Sequence, residues 1–243
     1  MNEIARLLTD DAPAPLRQRK AGAVYHALKR AILLRELAAG QALLEQQIAA
    51  AMGCSQGTVR EALLRLQEDG LVLRRGYRGT VVSHTSAPEA AEMVRIRLQI
   101  EQTAAARAAE RCGEAELAGL EALVGRMEQA EGAGDSYALH ELDHAFHRSL
   151  LETSGLVALQ PILSRCLLHM HRYTVGNRAG LGEAAAERLP AAGQHRRLIE
   201  ALAAGDPACA AEAVRRHIES VVASWSPELW AALGGGTAPA EDG

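Results

Sequence analysis

The sequence predicts a mainly α-helical protein of two domains with one short β-hairpin. Its 243 residues are rich in Ala, Leu, Arg and Glu but contain a single Phe, and good helix formers of this kind favour helices over strands. A chain of this length can form two domains, each with its own core. Residues 1–83 carry 12 Lys/Arg against 8 Asp/Glu, whereas residues 84–243 carry 14 against 22. The first part therefore suits a polyanionic partner, although ordinary variation in surface charge would also produce this difference.

Neither a membrane segment nor a disulfide framework is predicted. No apolar run approaches the roughly 20 residues that a membrane span needs, and residues 1–20 lack the apolar core and cleavage site of a signal peptide. The four cysteines form no CxxC pair, as expected for reduced thiols: Cys54, Cys112, Cys166 and Cys209. We therefore expect a cytoplasmic protein with no membrane partner.

Apolar residues at helical spacing predict three short helices after a loose arm at residues 1–17. The first helix is expected over residues 23–37, and the second over LLEQQIAAAMG, which ends at Gly53. The third is SQGTVREALLRLQEDG, which Ser55 caps and Gly70 ends.

A predicted hairpin follows, with arms at residues 71–73 and 80–83. Its tip carries three arginines beside two glycines, namely Arg74, Arg75 and Arg78. Small polar residues at the start of the third helix suit phosphate, because backbone N–H groups and the helix dipole point there. Three helices and a hairpin within residues 18–84 therefore predict a winged helix-turn-helix, a fold that places a helix in the major groove of DNA.

Beyond residue 84 the pattern is purely helical. Apolar periodicity predicts six helices, near residues 87–111, 115–131, 136–153, 157–177, 187–204 and 207–225. These predict an all-α helical bundle over residues 88–226. The remaining residues, 227–243, end in the low-complexity segment GGGTAPAEDG and are expected to form a disordered tail.

The stretch LLEQQIAAAMGCSQGTVREALLRLQEDGLVLRRGYRGTVV resembles the DNA-binding domain of GntR-family transcription regulators of the FadR type. The segments VREAL (residues 59–63) and DGLV (residues 69–72) carry the resemblance, which extends over roughly residues 20–225. It implies an FCD-like effector-binding and dimerisation domain after the winged helix-turn-helix. It also implies the residues that touch double-stranded operator DNA: Gln46, Ser55, Gln56, Gly57, Thr58 and Arg60, with Arg75 and Gly76 at the wing tip.

Several of these positions depart from the family pattern. Relatives usually have Arg where Gln56 stands, and often Thr-Pro or Thr-Thr where Gly57-Thr58 stand. Because Arg reads guanine and Gln suits adenine, the operator is expected to differ from the usual half-site. Gln46 replaces a basic residue of some members and can still bond a phosphate, while Arg60 has the alternative of a solvated helix charge.

The segment HELDHAFHR, residues 140–148, places three histidines and an aspartate within little more than two helical turns. On a helical wheel Asp143 and His147 stack one turn apart at the edge of the apolar face. His140 and His144 are not expected to ligate. A buried carboxylate must be paired, protonated or metal-bound, so Asp143 and His147 form either a structural hydrogen-bonded pair or part of a metal site.

Two later histidines favour the metal site. His195 and His217 each lie on the apolar stripe of a predicted helix, where a lone histidine is more often part of the core. Three helices that aim such groups inward can form a cage of three histidines and one aspartate. The resemblance supports this metal site, since many FadR-type effector domains carry DxxFH on one helix and a histidine on each of the last two helices. It implies a divalent metal (Zn, Ni or Mn) at Asp143, His147, His195 and His217.

The resemblance further implies a small organic acid that completes the metal shell. Arg97, four residues before Glu101, corresponds to the effector-facing arginine of relatives, and a guanidinium suits a carboxylate. A helix salt bridge to Glu101 is the alternative. Arg172 and His169 (or His171) are weaker candidates for effector contacts. Leu156 departs from the Asn that relatives often have after SG, so the effector chemistry is expected to differ.

These observations predict a homodimeric repressor that reads a palindromic operator and responds to a small carboxylate. One alternative is the same regulator with a purely structural metal. The other is a helical metalloenzyme fused to a DNA-binding domain. No Ser–His nucleophile and no general base is recognised beside the ligand pairs, so no enzyme is expected.

Overall fold

The computed structural model describes residues 16–76, 79–177 and 191–234. The chain divides into two compact units. One comprises the residues up to Ile32 together with Leu37–Ser83, and the other comprises Leu33–Glu36 and the residues from His84 onward.

The first unit contains three helices and a small antiparallel sheet. Its elements are α1 (Leu16–Leu33), β1 (Ala42–Leu43), α2 (Glu45–Ala51), α3 (Gln56–Glu68), β2 (Val72–Arg74) and β3 (Thr80–Val82). The strand order is β1-β3-β2, with Leu43 opposite Thr80 and Leu73 opposite Val81. This is the predicted helix-and-hairpin arrangement with one added strand, β1, whose two residues are too few to show an alternating pattern.

Local sequence explains where the helices of this unit begin and end. The Ser55 side chain accepts a hydrogen bond from the backbone N–H of Thr58, and Gly70, with φ of +78°, turns the chain after α3. The first helix was predicted over residues 23–37, but it starts at Leu16 and ends at Leu33. The early end coincides with Arg35, whose φ of +61° is left-handed and incompatible with a continuing helix. The predicted arm was wrong at residues 16 and 17, and residues 1–15 lie outside the described part.

The second unit is all helical over its described residues. Its elements are α4 (Ala87–Ala109), α5 (Glu114–Gly132), α6 (Ser136–Ser154), a 3₁₀ turn (Val157–Leu159), α7 (Gln160–Asn177), α8 (Ala191–Ala203), α9 (Pro207–Trp225) and α10 (Pro227–Ala232). The helical pattern therefore predicted α4 to α9 within a few residues. The disordered tail was wrong at residues 227–232, because Leu229 of α10 is buried in the core. Residues 235–243 lie outside the described part.

Packing in this unit brings four helices around one polar region. Helix α4 packs against α6, α7 and α9, and α8 packs against both α5 and α9. The core between them contains large side chains with almost no exposure, among them Phe146, Leu150, Leu198 and Ile218. A capping box of Ser86 and Glu89 starts α4, and Asp206 with Pro207 starts α9. No described helix is long and apolar enough to span a membrane.

Candidate metal centre and nucleic-acid interface

Four side chains from three helices converge in the second unit. Asp143 and His147 come from α6, His195 from α8 and His217 from α9. Their ligand atoms all lie within 4.8 Å of one another, which is the spacing of a metal-binding group. All three histidines are buried, whereas the Asp143 side chain is 30% exposed, so Asp143 marks the accessible side of the group.

The neighbours of each imidazole define which nitrogen faces the group. His195 donates from Nδ1 to the carbonyl of Ala191 at 2.7 Å, and its Nε2 lies 3.2 Å from Oδ1 of Asp143. His147 Nε2 lies 3.6 Å from the same oxygen. Both ring nitrogens of His217 are buried and have no hydrogen-bond partner within the described part of the chain. These partnerless nitrogens are an unusual cost in a protein core, of about 1–3 kcal/mol for each buried group.

Electrostatics gives His217 and Asp143 the protonation states that a metal requires. Burial lowers the pKa of His217 well below its ordinary value, and the neighbouring His195 and His147 lower it further, so this imidazole is neutral. Burial opposes ionisation of Asp143, but His147 and His195 outweigh it and hold the pKa of that carboxyl well below its usual range. His217 therefore offers neutral imidazole nitrogens and Asp143 an anionic carboxylate, and both donors fit a divalent transition metal.

A second carboxylate lies behind His147, on α4. Glu101 is fully buried, its Oε1 accepts a hydrogen bond from Nε of Arg97 at 2.5 Å, and its Oε2 contacts Nδ1 of His147. Burial raises the pKa of Glu101, but Arg97 and His147 outweigh it and lower that pKa to about 2. Glu101 in turn raises the pKa of His147 to about 9, although burial and Arg97 lower it. The carboxylate is ionised and makes the His147 imidazole strongly basic.

Arg97 is the one predicted effector residue that the structure brings to the four ligands. Besides its ion pair with Glu101, its Nη2 lies 2.9 Å from Nε2 of His147. The sequence presented the clamp and the salt bridge as alternatives, and the salt bridge is present beside the ligand group. Glu101 itself was treated only as the partner of Arg97. The missed signal was its position among the apolar residues Ile100 and Ala104, which makes a surface role improbable.

The other two effector candidates lie on α7 of the same unit. His169 and Arg172 are both buried on α7, and Nδ1 of His169 lies 2.6 Å from the hydroxyl of Thr85. Burial, with Arg172 and Arg165, lowers the pKa of His169 to about 4. The described hydrogen bond of His169 is thus made with a residue just before α4. An effector role for His169 or Arg172 remains a prediction.

His140 and His144 do not belong to the ligand group. His140 is buried, and its ring stacks on that of His171 of α7 with 3.6 Å between the ring centroids. The ring centroids of His140 and His144 are 6.4 Å apart. Leu156 packs against a small apolar cluster that includes Leu151.

The predicted DNA contacts of the first unit have mixed exposure. Gln46, Ser55, Gln56 and Arg60 are exposed and Gly57 is half-buried. Thr58 is buried, and its hydroxyl lies 2.9 Å from that of Ser55, so its side chain belongs to the helix cap. The guanidinium of Arg60 is held by Oε2 of Glu45 on α2, at 2.6 Å.

The wing tip is described only in part. Arg75 and Gly76 are exposed, and the backbone N–H of Arg75 donates to the carbonyl of Gly79. Gly76 has φ of +53° and Gly79 of +75°, a conformation that suits glycine in a tight turn. Arg78 lies outside the described residues.

Two family models match the chain. The gntR family of bacterial regulatory proteins matches residues 20–82, and the FCD domain matches residues 92–220. A similar curated protein is an HTH-type transcriptional regulator in an unstable DNA locus of Streptomyces ambofaciens, 30% identical over 86% of this chain and 88% of its own length. A probable D-xylose utilization operon transcriptional repressor of Paenarthrobacter nicotinovorans is 32% identical over 78% of this chain and 83% of its own.

Solved structures resemble the fold. McbR/YncC of E. coli has a TM-score of 0.68 at 23% identity, covering 86% of this chain and 98% of its own. A GntR regulator of Rhodococcus sp. RHA1 has a TM-score of 0.65 at 23% identity, covering 86% and 99%.

Proposed function

Since the chain belongs to the GntR family of bacterial transcription regulators and carries an FCD domain, we propose that it is a metal-containing repressor whose operator affinity responds to a small carboxylate. DNA-binding regulation is the activity of this family, so the chain is a regulator and not an enzyme. The observation that carries the proposal is the convergence of Asp143, His147, His195 and His217, whose ligand atoms all lie within 4.8 Å of one another, with both nitrogens of the buried His217 lacking a hydrogen-bond partner among the described residues.

The metal would be held by the Asp143 carboxylate and one nitrogen from each histidine. Three imidazoles and a carboxylate suit Zn, Ni or Mn. When bound, the ion supplies positive charge and coordination positions for an anionic oxygen. Asp143 is the most exposed of the four, which supports access from that side.

The balance of buried charge supports an anionic effector. Asp143 and Glu101 contribute two negative charges, Arg97 contributes one positive charge, and a divalent ion adds two. The resulting single positive charge is costly in a buried site unless an anion neutralises it. A monocarboxylate restores neutrality, and Arg97 remains able to donate to it because a guanidinium has five N–H groups.

Regulation would act through a homodimer on a palindromic operator. Two copies each present α3 to one half-site, with Gln46, Ser55, Gln56, Gly57 and Arg60 at the major groove and Arg75 and Gly76 at the wing. The relative from Paenarthrobacter nicotinovorans is described as a repressor, which supports the same sign here. Effector binding is expected to weaken operator binding by about 1–3 kcal/mol, the usual range of allosteric coupling.

The test is operator binding measured by fluorescence anisotropy on a duplex selected from random DNA. Zinc-loaded protein is titrated in the presence of a panel of mono- and dicarboxylates. We expect at least one monocarboxylate to weaken binding about 5–150-fold and to lose this effect when the metal is chelated. If no acid changes operator affinity while chelation unfolds the second unit, the metal is structural and the sensing function is wrong.

A further inference from the structure

Glu101 is a buried charge whose two oxygens serve two different groups. Its side chain has no exposure, and a carboxylate in that position must be compensated on both oxygens. Oε1 accepts from Nε of Arg97, and Oε2 contacts Nδ1 of His147. One side chain on α4 therefore joins the candidate effector clamp to a ligand of the candidate metal centre on α6.

The contact with His147 selects one tautomer of that imidazole. A carboxylate oxygen in contact with a ring nitrogen requires a proton between them, because two lone pairs would repel. A proton therefore lies on Nδ1 of His147, which leaves Nε2 as the nitrogen that can bind a metal. The neighbouring Arg97 agrees with this assignment, because its Nη2 is a donor 2.9 Å from Nε2.

The three histidines of the group are oriented by different means. His195 is oriented by the neutral carbonyl of Ala191, and neither nitrogen of His217 has a hydrogen-bond partner in residues 16–76, 79–177 and 191–234. His147 is oriented by an ionised carboxylate. A carboxylate partner makes an imidazole a stronger metal ligand than a neutral carbonyl partner does. Among the described contacts of the three rings, this charged one is the strongest constraint on the orientation of a ligand.

We propose that Glu101 is the positioning residue of this centre, holding His147 with Nε2 toward the ligand group and keeping Arg97 beside it. This inference rests on the proposed function. Replacing the carboxylate by an amide preserves shape but removes the charge, and an amide can present either its oxygen or its NH₂ to Nδ1, so the ring loses its fixed tautomer. Outer partners of this kind typically contribute 10–100-fold to metal affinity.

Glu101→Gln is compared with Glu152→Gln, using zinc as the probe. Glu152 pairs with Arg148 at the same i,i+4 spacing but is exposed, so it is a matched control on the ligand-bearing helix. Competition with a chromogenic chelator is expected to show about 10–100-fold weaker zinc binding in Glu101→Gln and wild-type binding in Glu152→Gln. Glu101→Gln that folds, as judged by circular dichroism, and binds zinc like the wild type would overturn the inference.

A measurement on the wild type covers the case in which the variant does not fold. Long-range ¹H–¹⁵N spectra of the zinc-loaded protein report the tautomer of each ring, and His147→Asn identifies the His147 signals. We expect a proton on Nδ1 of His147 and zinc on Nε2. The opposite assignment would overturn the role of Glu101 while leaving the metal centre intact. A wild-type protein that binds neither zinc, nickel nor manganese would instead overturn the metal in the proposed function and the inference with it.

Discussion

Each unit of the protein contains an Arg–Glu pair of nearly the same length, but the two pairs differ in exposure. In the first unit, Nε of Arg60 lies 2.6 Å from Glu45, with the side chains 59% and 22% exposed. In the second, Nε of Arg97 lies 2.5 Å from Glu101, with the side chains 5% and 0% exposed. An exposed pair contributes about 0–1 kcal/mol and can be exchanged for another partner. A buried pair cannot be broken without leaving a charge in the core.

The difference matches what each unit has to do. Arg60 lies on α3, the proposed recognition helix, where a weak partner would leave the guanidinium available to DNA. Arg97 lies beside the candidate metal centre, where a fixed guanidinium keeps its position and charge near His147. The same two residue types therefore serve as an exchangeable contact in one unit and as part of a rigid polar core in the other.

The largest expected effect comes from breaking the buried pair. Arg97→Met should lower the free energy of unfolding by about 3–5 kcal/mol, because Glu101 loses its main cationic partner. Urea denaturation of metal-free protein measures this. The exposed pair in Arg148→Met provides the control, with a change below about 1 kcal/mol. The double variant Arg97→Met with Glu101→Gln should regain part of the loss. A single variant as stable as the wild type would mean that the buried pair contributes nothing.

Breaking the exposed pair should have the reverse pattern, with a large effect on operator affinity and a small effect on the stability of the fold. Arg60→Met is expected to weaken operator binding by about 1–3 kcal/mol, or roughly 10–100-fold, if its guanidinium reads a base. Thermal unfolding should change little, because an exposed pair contributes about 0–1 kcal/mol. Arg148→Met, which removes an exposed arginine from the other unit, should leave anisotropy titrations unchanged. Equal operator affinity of Arg60→Met and the wild type would reduce Arg60 to a solvated helix charge.

His169 tests a third outcome for a buried basic group, which is to stay neutral. Its pKa is lowered from 6.5 to about 4, so the folded state binds its proton less readily than the unfolded state does. The stability that neutral His169 contributes to the folded state is fully present above the unfolded pKa and is lost as pH falls toward 4. Between pH 7 and pH 5 this amounts to about 1–2 kcal/mol at 1.36 kcal/mol per pKa unit. His169→Gln should therefore lose less stability than the wild type over that range in urea titrations. Parallel pH profiles of the two proteins would contradict this.

The smallest effect is expected at Glu45. Glu45→Gln removes the carboxylate that holds Arg60, so the guanidinium meets less competition when DNA binds. Operator affinity should rise by at most about five-fold, and the free energy of unfolding should change by less than about 1 kcal/mol. Anisotropy at low salt detects a change of this size. Weaker binding of the variant would show instead that Glu45 orients Arg60 for its contact.

Much of the fold followed from local pattern. Helical periodicity with the cap at Ser55 predicted α3, and periodicity predicted the main helices of the second unit close to their observed bounds. The errors were at α10 and β1, where six and two residues are too few for a periodic signal. The end of α1 was missed because a left-handed Arg35 is not a usual stop signal.

The candidate metal centre was only partly accessible from local pattern. The helical period alone placed Asp143 and His147 on one face, because they are one turn apart on α6. Joining them to His195 and His217 required the resemblance, since helices more than 40 residues away in sequence give no local signal of their packing. The structure then brought all four together and added Glu101.

By itself, the sequence determined the helices, their apolar faces and the family to which the chain belongs. It could not show which of three Arg–Glu pairs with the same i,i+4 spacing is buried: Arg97–Glu101, Arg148–Glu152 or Arg215–Glu219. The Arg and Glu side chains are 5% and 0% exposed in the first pair, 47% and 51% in the second, and 38% and 19% in the third. Only tertiary packing decided which pair is enclosed, because burial depends on the neighbouring helices and not on spacing within one helix. That burial makes one of three similar salt bridges part of a polar core beside His147.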